Sequence, residues 1–294
     1  MHKPAEAGAR VKPSVIALTA LAMLCFAANS LLCRLALHDP SIDPASFTAI
    51  RLAAGAVTLA LLVAFRRRTV VREVATAGTW SGAAALFVYA AAFSFAYVSL
   101  GASVGALILF GCVQTTMIAV GLARGERLAP LQIAGALLAI AGLVYLLSPG
   151  LSAPPLTGAA LMAAAGVAWG IYSLIGRSAR NKERDPTLVT AGNFLRAAPM
   201  ALLLLPLIPL SISTHGALLA IASGAIASGI GYAIWYTALK SLRASEAAIV
   251  QLTVPVIAAA GGAILLSEPL SLRLAIAGIT ILGGVAVVLT ARRT

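Results

Sequence analysis

A chain of 294 residues that is 61% hydrophobic and only 10% charged is no ordinary soluble domain, whose charged fraction is nearer a quarter. Its net charge of +12 would suit nucleic acid if the basic residues formed one patch, but they are scattered through short loops, so nucleic acid is not an expected partner. Apolar runs of about 20 residues recur along the chain, each able to cross roughly 30 Å of hydrocarbon as a helix, and the ten-residue alternating segments of a membrane barrel are absent.

The order of segments gives an all-α membrane protein with ten crossings. A basic leader, residues 1–13, carries Lys3, Arg10 and Lys12, and the first helix covers about 14–37. Its apolar run continues past Ala27 and Ala28, which argues against a cleaved signal peptide. Further helices are expected at about 44–65, 80–98, 101–123 and 128–147, completing a first repeat over 14–147. A proline-rich outer linker, 148–155, leads to a second repeat over 156–290, with helices at about 156–176, 186–209, 216–239, 246–266 and 271–290, and a tail at 291–294. Cys25, Cys33 and Cys112 lie inside apolar helices without ligand spacing, and read as small core residues.

The two halves are related. Shifted by 142 positions, the stretch from Ala96 to Ser148 lies without a gap on Ala238 to Thr290. Ser99, Leu100, Ala102 and Ser103 then meet Ser241, Leu242, Ala244 and Ser245, while Glu126 and Gly142 meet Glu268 and Gly284. Five helices per half is an odd number, so the second repeat must enter the membrane from the opposite side. Charge supports this five-plus-five inverted repeat: with the N-terminus inside, seventeen of the 21 Lys and Arg fall on inner segments. Arg273 alone lies in an outer loop, and Arg34, Arg51 and Arg196 lie within helices. Both termini are therefore expected on the cytoplasmic side.

Ten helices in two fives, the glutamates after the fourth and ninth, and the segments AIRLAAGA and LSEPLSLRLAIAGITILGG resemble the EamA-type exporters of the drug/metabolite transporter superfamily, most nearly the bacterial exporters of aromatic and other amino acids. The resemblance implies a bacterial inner-membrane location, a substrate cavity between the halves and export by alternating access.

Candidate transport residues follow from the cost of polarity at depth. Arg196, ten residues past Pro186, stands about 15 Å into its helix, with Asn193 on the same face. Two readings stand: a guanidinium lining the cavity for a substrate carboxylate, or an arginine bound to carbonyls near Pro199 or snorkelling to the interface. Arg51 carries the same pair of readings, with a structural role favoured, and Arg34 reads as interfacial. No carboxylate or histidine falls at the centre of a helix, which favours facilitated movement over proton coupling. Glu126 and Glu268 read as anchors for the start of the following helix. Pro255 must loosen the ninth helix near Gln251 and Thr253, and the matching part of the fourth helix holds Gly111 with Gln114 and Thr115. Interrupted helices at corresponding places in two repeats mark a transporter site, so Gly111 and Pro255 are candidate hinges. Aromatic residues near mid-helix complete the list: Phe26 beside Asn29 and Ser30, Tyr89 with Phe93, Trp169 with Tyr172, and Tyr232 with Trp235. Tyr236, Tyr145 and Trp80 read as interface markers. Gly101 with Gly105 and Gly166 with Gly170 read as packing devices.

These readings point to an exporter of amino acids or similar small amphipathic metabolites. The expected partners are the bilayer and a small-molecule substrate, in a monomer or weak homodimer, with no cofactor and no metal. A nucleotide-sugar or drug transporter is the alternative. An intramembrane enzyme would need a nucleophile and base at depth, and an assembly protein would have no use for two kinked helices.

Overall fold

The computed structural model describes residues 13–38, 41–67, 71–125, 127–150, 153–180, 185–242 and 244–291. The leader with Lys3, Glu6, Arg10 and Lys12, the inner residues Arg68, Lys182, Glu183, Arg184, Arg243, Arg292 and Arg293, and the anchor expected at Glu126 lie outside them. Among the described residues, ten helical segments are long and apolar enough to span a membrane.

The first repeat comprises α1 (Pro13–His38), α2 (Pro44–Arg67), a short α3 (Val71–Ala77), α4 (Trp80–Tyr97), α5 (Ala102–Ala123) and α6 (Pro130–Leu147). The second comprises α7 (Leu156–Arg180), α8 (Pro186–Met200), α9 (Thr214–Ala222), α10 (Gly231–Leu239), α11 (Ala244–Gln251), α12 (Thr253–Leu265) and α13 (Leu272–Thr290). The α8 span tightens into a 3-10 helix over Ala201–Leu207, and α9 and α10 are one span joined by a π-helical stretch, Ser223–Ile230. Two successive sets of five spans place the repeats upside down relative to each other. One end of the bundle, called here the basic face, carries Arg66, Arg72, Arg124, Arg127 and Lys240.

Local chemistry sets the helix ends. Asp185, Thr79, Ser213 and Ser271 place side-chain oxygens on the free N–H groups of Thr187, Gly82, Gly216 and Leu274 at 2.8–3.1 Å, and prolines occupy the first positions of α2, α6 and α8. Apolar side chains then divide between core and lipid: Leu59 and Leu86 are fully buried, while Leu137 and Ile279 point outward. On the face opposite the basic one, Asp43 accepts from Ser46 N (2.8 Å) and Ser211 N (2.9 Å), and its own N–H donates to Ser211 O (2.8 Å). Burial works against the Asp43 charge, but the hydrogen bonds from Ser46, Ser211 and Ala45 outweigh it and hold the carboxyl below its ordinary value. This clip joins the loop before α2 to the loop before α9, and so ties one repeat to the other.

Two features differ from expectation, the short α3 and the unbroken fourth span. The short α3 lies between the second and third spans, where the sequence reading had only an inner polar segment. The ninth span does break, at Leu252, because Pro255 has no N–H to offer the carbonyl of Gln251. The fourth span does not: α5 is continuous through Gly111, which keeps its N–H and so weakens the helix without removing a bond. The hinge reading of Gly111 is thereby corrected.

Close backbone approach holds the repeats together. A methyl group on Gly166 would stand 2.7 Å from Leu109 O, and one on Gly224 would run into Arg51 O. Gly101 and Gly105 instead make room for the Glu268 carboxylate and the Tyr97 ring. Because a carbonyl in mid-helix cannot retreat, Gly224→Ala should cost about 1–3 kcal/mol and lower the unfolding temperature and the folded yield. Gly283→Ala, with nothing within 4 Å of the new carbon, is the control and should lower neither.

Candidate functional site

The two repeats enclose a cavity of about 1270 Å³. Its mouth is at the basic face, where the exposed ends of α5 and α10 contribute Arg124 and Lys240, with Pro186 and Ala291 nearby. Its floor lies near mid-bundle, at Asn29, Ser30, Phe93 and Phe110.

Aromatic rings make the wall. Trp169 stacks on Tyr232 (centroids 5.5 Å apart, planes 18°) and on Tyr172 (5.3 Å, 28°), and meets Tyr89 at 4.7 Å. Phe26 packs on Tyr232 at 5.6 Å and edge-on against Trp235 at 6.0 Å. The box takes one helix pair from each repeat, α1 with α4 and α7 with α10. Its members correspond: Phe26 and Trp169, Tyr89 and Tyr232, and Phe93 and Tyr236 each stand 143 residues apart. Inverted repeats carry equivalent side chains to the same depth from opposite sides, so both repeats present rings at the midplane.

Polar groups are few and mostly engaged. Asn29 donates to Tyr89 Oη (3.2 Å) and accepts from Ser223 Oγ (2.7 Å), which the π-helical stretch brings to it. Thr190 and Tyr236 share a hydrogen bond of 3.0 Å. Asn193 accepts from Thr79 N at 2.8 Å, so it also fastens the start of α4. Gln114, from α5, and Gln251, beside the break in the ninth span, both line the cavity.

Of the residues singled out from sequence, Phe26, Asn29, Ser30, Tyr89, Phe93, Gln114, Trp169, Tyr172, Asn193, Tyr232, Trp235 and Gln251 come together on this one surface. Thr115, Thr253 and Arg196 do not. Thr115 turns to the far side of α5, where it bonds Gly111 O at 2.9 Å and lines a pocket of about 30 Å³. Thr253 is exposed and bonds Val250 O at 2.7 Å, patching the kink from outside the cavity. Arg196 donates to Gly192 O (3.0 Å) and to Ala75 O (2.5 Å), and lies over the Trp80 ring at 5.7 Å. It therefore satisfies the C-terminal end of α3, which raises the polar level to meet it. Tyr236, read as an interface marker, lines the cavity instead. The sequence reading missed Ser228, which the π-helical stretch delivers, and Gln132, which lines the mouth while its Oε1 accepts from Ala129 N and its Nε2 donates to Val288 O.

Beyond the floor the structure is closed. Phe93 and Tyr97 pack edge to face at 4.7 Å, with Leu100, Cys33 and Ile108 buried around them. Above this plug Arg34 Nε meets Glu268 Oε1 at 3.3 Å, and Arg34 Nη1 donates to Tyr97 O. Glu268 also accepts from Ala102 N (2.9 Å) and from the N–H and hydroxyl of Ser103 (3.5 and 3.4 Å). It thus caps α5 rather than the following α13, which Ser271 caps, and Arg34 is drawn from the interface into an ion pair. Both readings from sequence are corrected here: the carboxylate finds free N–H groups across the repeat boundary.

A membrane-spanning bundle of two inverted repeats, holding a mid-depth cavity open to one face and latched at the other, has the architecture of a transporter. Family comparison says the same: the model of the EamA-like transporter family matches twice, over residues 13–148 and 156–290. The chain belongs to that family and is a membrane transporter. It is 56% identical over 277 residues to an uncharacterised protein of Pseudomonas aeruginosa, covering 94% of each chain. It is 34% identical over 164 residues to an uncharacterised transporter of Archaeoglobus fulgidus, covering 54% of this chain and 57% of that one. Among solved structures, one crystal structure matches with a TM-score of 0.67 at 25% identity, over 96% of this chain and 99% of that one.

Proposed function

We propose that the protein exports neutral amino acids, aromatic ones among them, or closely similar amphipathic metabolites, across the bacterial inner membrane, with both termini and the basic face in the cytoplasm. The observation that carries the reading is the box of rings around Trp169 at the seam of the repeats, which suits a flat or apolar side chain. The substrate enters from the basic face, the mouth closes, and the latch at Arg34 and Glu268 releases it on the other side. Transport is facilitated rather than proton-driven, since none of the cavity-lining side chains among the described residues is Asp, Glu or His. A nucleotide sugar fits less well, because Arg124 and Lys240 stand only at the mouth and leave a diphosphate no cation at the floor.

The test uses the full-length protein in lipid vesicles and a panel of labelled amino acids, nucleotide sugars and cationic drugs. Neutral aromatic amino acids should equilibrate across the vesicle membrane without ATP. Movement of nucleotide sugars or drugs alone would overturn the substrate reading. Accumulation above equilibrium under an imposed pH gradient would overturn facilitation.

A further inference from the structure

We infer that the cavity floor recognises a carboxylate, through the Tyr89 hydroxyl held as a hydrogen-bond donor by the buried guanidinium of Arg51. The inference rests on the reading above that a small organic solute enters this cavity, and it names which end of that solute is read.

Arg51 sits in mid-α2 and is 2% exposed. Its Nη2 donates to Tyr89 Oη at 3.0 Å, and its guanidinium lies 4.8 Å from the Phe93 ring centroid and 5.2 Å from that of Tyr89. Its Nε and Nη1 are buried with no hydrogen-bond partner, and the Glu268 carboxylate is taken by Arg34. A guanidinium in such a place is strongly unfavourable unless something compensates it, and the two ring faces do so only in part. Arginine at membrane depth marks a pathway or an anion it meets.

The route from Arg51 to the cavity runs through one atom. Tyr89 lines the cavity, and its oxygen accepts from Arg51 on one side and from Asn29 Nδ2 at 3.2 Å on the other. A phenol oxygen has two lone pairs and one proton. With both lone pairs taken, Tyr89 has only its proton left to give. Asn29 is held as donor because its own oxygen accepts from Ser223 at 2.7 Å. The remaining Tyr89 proton, polarised by the cation behind it, suits an anionic acceptor, and a carboxylate oxygen there would lie about 5 Å from Arg51 Nη2, taking about 2.7 Å for the new O–H···O bond and about 115° at the phenol oxygen. Trp169, 4.7 Å from the Tyr89 ring, is placed for the apolar part of the same molecule. An ammonium group would meet ring faces and amide or hydroxyl oxygens but no carboxylate, because the lining among the described residues holds no Asp or Glu. The ligand class is a small aromatic or apolar monocarboxylate, with the amino group dispensable.

Three probes of one skeleton separate the groups: phenylalanine, 3-phenylpropionate lacking the ammonium, and phenethylamine lacking the carboxylate. Binding is measured calorimetrically on the full-length protein in lipid nanodiscs. The wild type should bind the two carboxylates at least about 10-fold more tightly than the amine, in line with a hydrogen bond to a charged group. Tyr89→Phe, which keeps the ring, should erase that preference by weakening the two carboxylates about 10-fold, and continued binding of the amine reports that the cavity is intact. Asn29→Asp, which places a fixed carboxylate beside the Tyr89 hydroxyl, should erase it as well. Equal binding of all three by the wild type, or an equal loss of all three in Tyr89→Phe, would overturn the inference while the substrate reading stands. Failure of all three to bind the wild type would overturn that reading and the inference together.

Discussion

Replacing Glu268 by alanine is expected to open the sealed face and expose Cys33 to water-borne thiol reagents from that side. Glu268 holds the plug by two means, the ion pair to Arg34 and the cap on Ala102 and Ser103 at the start of α5. Removal leaves Arg34 with one charge uncompensated and leaves free N–H groups at the end of a membrane helix. The two side chains are each 13% exposed, so the loss is smaller than for a fully buried pair and is set at about 2 kcal/mol. A shift of that size multiplies the open population about 30-fold. Cys33 is the natural reporter, being 0% exposed and one residue from Arg34. With Cys25 and Cys112 changed to alanine, labelling of Cys33 by an impermeant maleimide should run at least about 10-fold faster in Glu268→Ala than in the parent protein. Glu268→Gln, which keeps an acceptor for Ala102 N but loses the charge, should fall between. Equal labelling rates in folded protein would show that the plug of Phe93, Tyr97 and Leu100 closes the face without the latch.

The membrane plan was legible because its signals are repeated and physical. Apolar length fixed the ten spans, and an odd number per half fixed the inversion. Pro255 was legible too, since a missing N–H breaks a helix wherever it falls. Gly111 misled because a glycine permits a break without forcing one, and α5 is held straight by Gly166 and Gly170 of α7, whose missing side chains let Leu109, Cys112 and Thr116 come close. Arg196 misled for a different reason. Counting residues from Pro186 gives depth along its own helix, but α3 sits beside that helix and supplies a carbonyl at the same level. The π-helical stretch left no pattern in Ser223–Ile230 that single-sequence reasoning detects, yet it delivers Ser223 to Asn29 and Ser228 to the cavity. Such wide turns are often found at functional sites. The role of Glu268 was hidden because its partners, Ala102 and Ser103, lie 166 and 165 residues away.

The ring box makes the second large prediction. Among the described residues, Trp169 is the one ring that meets Tyr89, Tyr172 and Tyr232, so it joins the rings of both repeats into one surface. Alanine there removes that surface but leaves a space already continuous with the cavity, so the fold should lose less than the ~3–5 kcal/mol of a sealed core site. On the proposed reading an aromatic substrate, by contrast, loses its principal stacking partner. An aromatic pair is worth about 0.5–1.5 kcal/mol beyond its buried area, and the buried area of an indole adds about as much again. Affinity for an aromatic amino acid should therefore fall about 10- to 100-fold in Trp169→Ala, measured as the concentration that half-saturates exchange in vesicles, while the unfolding temperature stays within a few degrees of the parent. Trp169→Phe, which keeps a flat ring, should recover most of the affinity. If both variants transport aromatic and aliphatic amino acids with unchanged half-saturation, the substrate does not touch this wall, and its path must follow the opposite side of the cavity along Gln114, Met117 and Gln251.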